Sequence, residues 1–213
     1  MKRIASLAVL FLLLSSACRT APASALQSIA AARSASQGER VTVSGIVTVP
    51  SSAFLSSLED HGFALQDASG GIYVSTTLEL DLEPGEIVEI TARRGDSHGA
   101  ASLVLDDPRS ISRRGRTPPP LPRDVPTGRI GEETEGWLVR VTGRLLRPPV
   151  SDLPYGWRLF LDDGSGEIQA FVAASTAIDV SAFAEGATLV VTGLSSQYDD
   201  HYEVAPRMAG DVR

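Results

Sequence analysis

The chain has 213 residues, 43% hydrophobic and 6% aromatic, with a formal net charge of −7 and a single cysteine, Cys18. That composition belongs to a globular protein, and its acid excess excludes holding a phosphate backbone by overall charge, so any polyanion site has to be a local cationic patch. One cysteine leaves no internal disulfide, and stability has to come from packed cores.

Lys2 and Arg3 precede an apolar run from Ile4 to Leu14, about the length of a signal-peptide core and short of the roughly 20 residues a membrane span needs. Residues 1–25 therefore read as an export signal and tether. Two processing readings stand side by side. Ser15-Ser16-Ala17-Cys18 resembles a lipobox and makes Cys18 a lipidation site, while Ala23-Ser24-Ala25 fits the small-x-small rule of an ordinary signal peptidase. The expected location is the cell envelope through a lipid anchor, or the periplasm or medium as a secreted protein. Without residues 1–25 the chain loses Lys2, Arg3 and Arg19 and its net charge deepens from −7 to −10.

The rest of the chain states one pattern twice. Leu65-Gln66-Asp67-Ala68-Ser69-Gly70-Gly71-Ile72 recurs as Leu161-Asp162-Asp163-Gly164-Ser165-Gly166-Glu167-Ile168. Each copy follows a β-rich segment ending in glycine, at Gly45 and Gly143, and precedes a Gly-led one, at Gly85 and Gly186. Three landmarks in constant order mark a tandem repeat of two small domains.

In the first copy, Ser28 to Arg33 reads as a short helix, followed by strands at Arg40 to Val49, Phe63 to Asp67, Ile72 to Thr76, Ile87 to Ala92 and Ser102 to Leu105. Thr77 to Glu83 alternates like an extended piece and lacks a helical pattern. Five short strands with a glycine where the first must bend describe a closed Greek-key barrel, of which the oligonucleotide/oligosaccharide-binding (OB) fold is the commonest kind. The second copy repeats it near Trp137 to Arg147, Trp157 to Asp162, Glu167 to Val172, Thr188 to Leu194 and Tyr202 to Ala205. The fold class is thus all-β, two tandem five-stranded OB barrels, spanning 26–112 and 132–213. Residues 113–131, with Thr117-Pro-Pro-Pro-Leu-Pro122, form a Pro-rich linker.

Alternate side chains fill a barrel, so taking Leu65 and Leu161 as core fixes which residues face outward. The first barrel then shows Thr42, Ser44, Ile46, Ala64, Gln66 and Tyr73, a nearly neutral face with one aromatic. The second shows Arg140, Thr142, Arg144, Arg158, Phe160, Gln169 and Phe171. Two phenylalanines among three arginines offer flat rings for bases and cations for phosphates, the needs of single-stranded nucleic acid or another flat polyanion. The same composition serves a protein contact, with an envelope protein as partner, and the rings could instead be covered by the first barrel, by Pro118 to Pro122, or by Tyr155 and Trp157.

Other candidates are weaker. Asp199-Asp200-His201 has oxygen and nitrogen ligands but reads as a solvated hairpin tip, so no metal is expected. Asp67, Asp162 and Asp163 begin tight turns and read as backbone caps. His61 and His98 have no evident partner. No Ser-His-Asp spacing, phosphate loop, HExxH or Cys/His cluster is present, so neither an enzyme nor a cofactor is expected. Two rival functions remain beside nucleic-acid binding: a protein–protein adaptor or scaffold at the envelope, and saccharide binding through Trp157 and Tyr155.

The runs Val41-Thr-Val-Ser-Gly-Ile-Val-Thr48, Gly62-Phe-Ala-Leu-Gln-Asp67 and Gly70-Gly-Ile-Tyr-Val74 resemble the OB-fold modules of exported bacterial proteins. Glu135-Gly-Trp-Leu-Val-Arg-Val-Thr-Gly143, Asp162-Asp-Gly-Ser-Gly-Glu167 and Tyr202-Glu-Val-Ala-Pro-Arg207 resemble the partner module. Such tandem modules often accompany secreted nuclease or phosphoesterase domains and are described as nucleic-acid binding. The resemblance implies that ligand class here; it does not extend to catalysis, because no catalytic domain is in the chain.

Overall fold

The structure is a computed structural model that describes residues 25–55 and 60–213. Cys18 and the expected export signal, apart from Ala25, lie outside the described residues. In chain order the elements are β1 (Leu26–Gln27), α1 (Ile29–Arg33), β2 (Arg40–Val49), β3 (Phe63–Gln66), β4 (Gly71–Ser75), β5 (Glu86–Ser97), β6 (Ala100–Val104), β7 (Ile111–Arg116), β8 (Arg123–Asp124), β9 (Leu138–Leu145), β10 (Val150–Asp152), β11 (Gly156–Asp162), β12 (Ile168–Ala173), β13 (Thr188–Tyr198) and β14 (His201–Ala205).

Strands β2-β3-β4-β6-β5 are hydrogen-bonded in that order and close through β2–β5, while β9-β11-β12-β14-β13 repeat the order and close through β9–β13. In each barrel all neighbours are antiparallel except the third and fifth strands, β4 with β6 and β12 with β14. The chain is two OB barrels in tandem. Alternation produces this result: Val41, Val43, Val47, Leu65, Ile72 and Ile90 fill one barrel, and Val139, Val141, Leu159, Leu161, Ala170 and Val191 the other. Gly45 and Gly143 sit where the first strand bends over the second. A Cβ on either would come within 3.2 Å of the duplicated leucine, Leu65 or Leu161.

The repeated hairpin tip has a structural purpose. Asp67 Oδ1 accepts the amides of Ser69 and Gly70, and its Oδ2 accepts the amide of Ile29 at 2.9 Å, while Ser69 Oγ accepts that of Ala30. Asp163 and Ser165 do the same for Thr127 and Gly128, at the helical turn Thr127–Arg129. Both tips thus satisfy amides that a helix start leaves without partners.

Between the barrels, residues 113–116 are part of β7 and pair with β5, so they belong to the first barrel's sheet, with Arg113 ion-paired to Glu86 and Arg114 to Glu89. Arg123–Asp124 and Thr127–Arg129 belong to the second barrel. Only residues 117–122 of the expected linker are free of such pairing, and they run along the first barrel, where Thr117 donates to the Gly85 carbonyl and Pro120 borders Ser44 and Ile46.

The barrels are docked. Val49 and Ala64 of the first meet Leu194 and Ala205 of the second in a shared apolar cluster flanked by Phe54 and Tyr73. Gln66 Oε1 accepts the Leu138 amide. Arg33 reaches from α1 to the buried Glu135 at 2.9 Å and to Glu132 at 3.3 Å. The β5–β6 and β13–β14 hairpins run past their barrels and touch at the tips, with the His98 and Tyr198 rings stacked 4.3 Å apart.

Candidate functional site

In β11 and β12, Leu159, Leu161, Ala170 and Val172 point into the barrel, which turns Arg158, Phe160, Gln169 and Phe171 outward. The register sets Arg158 directly opposite Phe171, and Phe160 opposite Gln169. Both phenylalanine rings are half-buried. Arg144 joins this face through its pairing with Asp162, and its guanidinium lies over Gly186. Among the described residues no carboxylate pairs with it.

Arg140 does not share that patch. It stands four residues, about 13 Å, up β9 from Arg144, beside β8 and β13, where its guanidinium meets Asp124 at 3.4 Å. Tyr73 lies elsewhere too. It packs on the cluster between the barrels, and its hydroxyl donates to Asp60. Burial, with the Asp60 carboxylate beside it, holds that phenol above its ordinary pKa.

The covers considered for the rings are otherwise engaged. Trp157 packs against the second barrel's core, Tyr155 projects 63% exposed from the β10–β11 hairpin, and the prolines lie on the first barrel. The first barrel's loop at Ala53 reaches the end of this sheet, where its carbonyl accepts from Ser175 just beyond β12.

One residue of the face is absent from the sequence reading. Arg147 holds its guanidinium 3.6 Å from the centre of the Phe160 ring and is ion-paired to Glu167 at 2.7 Å. Alternation would turn it inward with Leu145. β9 ends at Leu145, however, and Pro148-Pro149 interrupt the pairing until the chain rejoins β11 as β10, so the parity of β9 no longer applies to Arg147. The proline pair was the available signal.

Carboxylates border the patch as well. Asp152 lies 3.8 Å from Arg158, whose Nε is buried without a hydrogen bond. Glu203 is buried beside Gln169, which donates to it at 2.8 Å; burial pushes its pKa up against the opposing effects of that bond and of His201. At the β13–β14 tip, Asp199 faces His98 at 3.1 Å and Asp200 faces His201 at 3.4 Å. No group of three metal-ligating side chains forms among the described residues. His61 is hydrogen-bonded to Ser52.

No protein-family model matches the chain, and no curated protein does. Solved structures similar to it include the tetrameric p202 HIN2, at 15% identity and TM-score 0.41 over 80% of this chain and 88% of that one. Fission yeast Pot1 with ssDNA is similar at 14% identity and TM-score 0.35, over 84% and 83%. The single-stranded DNA binding protein from Thermus aquaticus is similar at 18% identity and TM-score 0.25, over 80% and 92%. The barrel assignment here stands on strand order and closure.

Proposed function

We propose that this chain is an exported, non-catalytic binding module whose second barrel takes single-stranded nucleic acid, or a polyanion with comparable flat groups, on the face of Arg144, Arg147, Arg158, Phe160 and Phe171. One observation carries the reading: in a chain of net charge −7, two half-buried phenylalanines on the barrel's outer face lie on neighbouring strands with three guanidiniums around them. Aromatic rings stack any base, and guanidiniums meet the phosphates between bases. The first barrel supports no second copy of the site, because Ala64, Gln66 and Tyr73 on the corresponding strands are taken up by the second barrel.

The test is binding of fluorescent oligonucleotides to the full chain across a salt series. Single strands are expected to bind more tightly than duplexes, with affinity falling as salt rises. Stacking on an aromatic is worth about 1–3 kcal/mol per base, so Phe160→Ala with Phe171→Ala should weaken binding by roughly thirtyfold or more. No affinity at low salt, or affinity untouched by the double substitution, overturns the reading.

A further inference from the structure

Phe160 is not bare: the Arg147 guanidinium lies across its ring, held by the Glu167 carboxylate at 2.7 Å to one nitrogen and 3.4 Å to the other. The three groups come from different parts of the barrel: Arg147 from the end of the first strand, Phe160 from the second, and Glu167 from the turn before the third. Resting on the nucleic-acid reading of this face, we propose that Glu167 is a resident phosphate surrogate, and that a phosphodiester of the bound strand replaces it on Arg147 while a base stacks beside the guanidinium and Phe160.

The geometry suits an exchange. Carboxylate and phosphate oxygens make the same paired contact with a guanidinium. Both partners are a little over 40% exposed, so a strand can approach without unfolding anything, and pairs at such exposure are weak enough to be displaced. The ring fixes the plane of the guanidinium whichever anion it holds, so Arg147 remains poised after Glu167 leaves. Arg144 has no such guard, and Arg158 has Asp152 only at 3.8 Å without a hydrogen bond. Arg147 is therefore the cation whose availability Glu167 controls.

The exchange leaves a signature in salt dependence. A phosphate neutralised by an arginine with no carboxylate beside it sheds the cation condensed on the strand there, contributing a slope of about 0.7 in log K against log salt for single strands. In the native chain the group displaced from Arg147 is Glu167, which stays on the protein, so this contribution is largely missing.

The experiment measures oligothymidylate binding to the full chain as wild type, Glu167→Gln, Arg147→Ala and the double variant, over a salt series. The expected result for Glu167→Gln is affinity about two- to fivefold higher, with a slope steeper by about 0.7. In the Arg147→Ala background the same change should have a clearly smaller effect on both. Equal effects in the two backgrounds would mean that Glu167 merely repels the strand, and no effect in either would mean that it does nothing; both overturn the exchange. If wild type binds and Phe160→Ala with Phe171→Ala abolishes binding, the nucleic-acid reading survives either of those failures. Absence of binding by every variant overturns both.

Discussion

Ala64 and Phe160 occupy the same position in the two barrels, each immediately before the duplicated leucine and facing outward, yet only the alanine is covered by the other barrel. Ala64 is fully buried against Leu194 and Ala205, while Phe160 is half-buried beneath Arg147. Duplication supplied two equivalent faces. Docking consumed one, and the small side chain is what lets the barrels close there. Ala64→Phe should consequently part the barrels and lower stability by about 1–3 kcal/mol, measured by urea unfolding, whereas Phe160→Ala should cost less.

The tightest point of that docking is Gly71 against Gly136. A Cβ on Gly71 would fall 1.9 Å from the Gly136 carbonyl oxygen, and Gly136 itself has φ +82. No rotamer relieves a clash between backbones. Gly71→Val is expected to destabilise the pair of barrels by about 3 kcal/mol or more, and calorimetry should show the transition broaden or split as they melt separately.

Arg33 and Glu135 tie the barrels by charge. Glu135 is 3% exposed, and its Oε1 also accepts the Ala101 amide. Removing the arginine strands a buried carboxylate, so Arg33→Met should cost about 3–5 kcal/mol, and adding Glu135→Gln should recover most of that. A double-mutant cycle by chemical denaturation measures it.

The fold was legible because inward residues alternate along most of each strand, the shift between Val47 and Val49 being a break: the ten barrel strands and the helix at Ser28 to Arg33 can be read, most of them within a few residues of their observed bounds. Where β5 and β13 run on past Ala92 and Leu194, they leave the core, and the hydrophobic signal ends before the hydrogen bonding does. β1 and β8 are two residues long, too short to carry a period. At the site, parity identified Arg158, Phe160 and Phe171 as a group. It also turned Tyr73 outward, correctly by register, but whether an outward face meets water or another barrel depends on residues a hundred positions away, such as Leu194 and Ala205. Arg147 escaped because it follows the last paired residue of its strand.

The duplicated aspartates make stability depend on acid. Burial pulls Asp67 upward, but hydrogen bonds from the Ser69 hydroxyl and from the amides of Ile29, Ser69 and Gly70 outweigh it and hold its pKa below the ordinary value. Hydrogen bonds from the Ser165 side chain and amide, with those from Thr127, do the same for Asp163. A depressed carboxylate stabilises the fold above its unfolded pKa, near 3.8, and that contribution is lost as pH falls through the lower folded value. Asp67→Asn and Asp163→Asn should therefore flatten the loss of Tm below about pH 4, checked by thermal melts across pH.

Glu203 acts with the opposite sign. Burial raises its pKa above the ordinary 4.5, while the Gln169 amide and His201, which itself faces Asp200, pull it down less strongly. The native state then holds this proton more firmly than the unfolded chain, so its contribution to stability is greatest below about pH 4.5 and declines as pH rises through the folded value. Glutamine keeps an acceptor for the Gln169 amide and carries no charge to desolvate. Glu203→Gln should thus raise Tm at neutral pH and have little effect in acid. A melt series showing equal gains at both pH values would mean that the carboxylate titrates alike in the folded and unfolded chain, and a loss at neutral pH would mean that its charge is better paired than Gln169 and His201 alone provide.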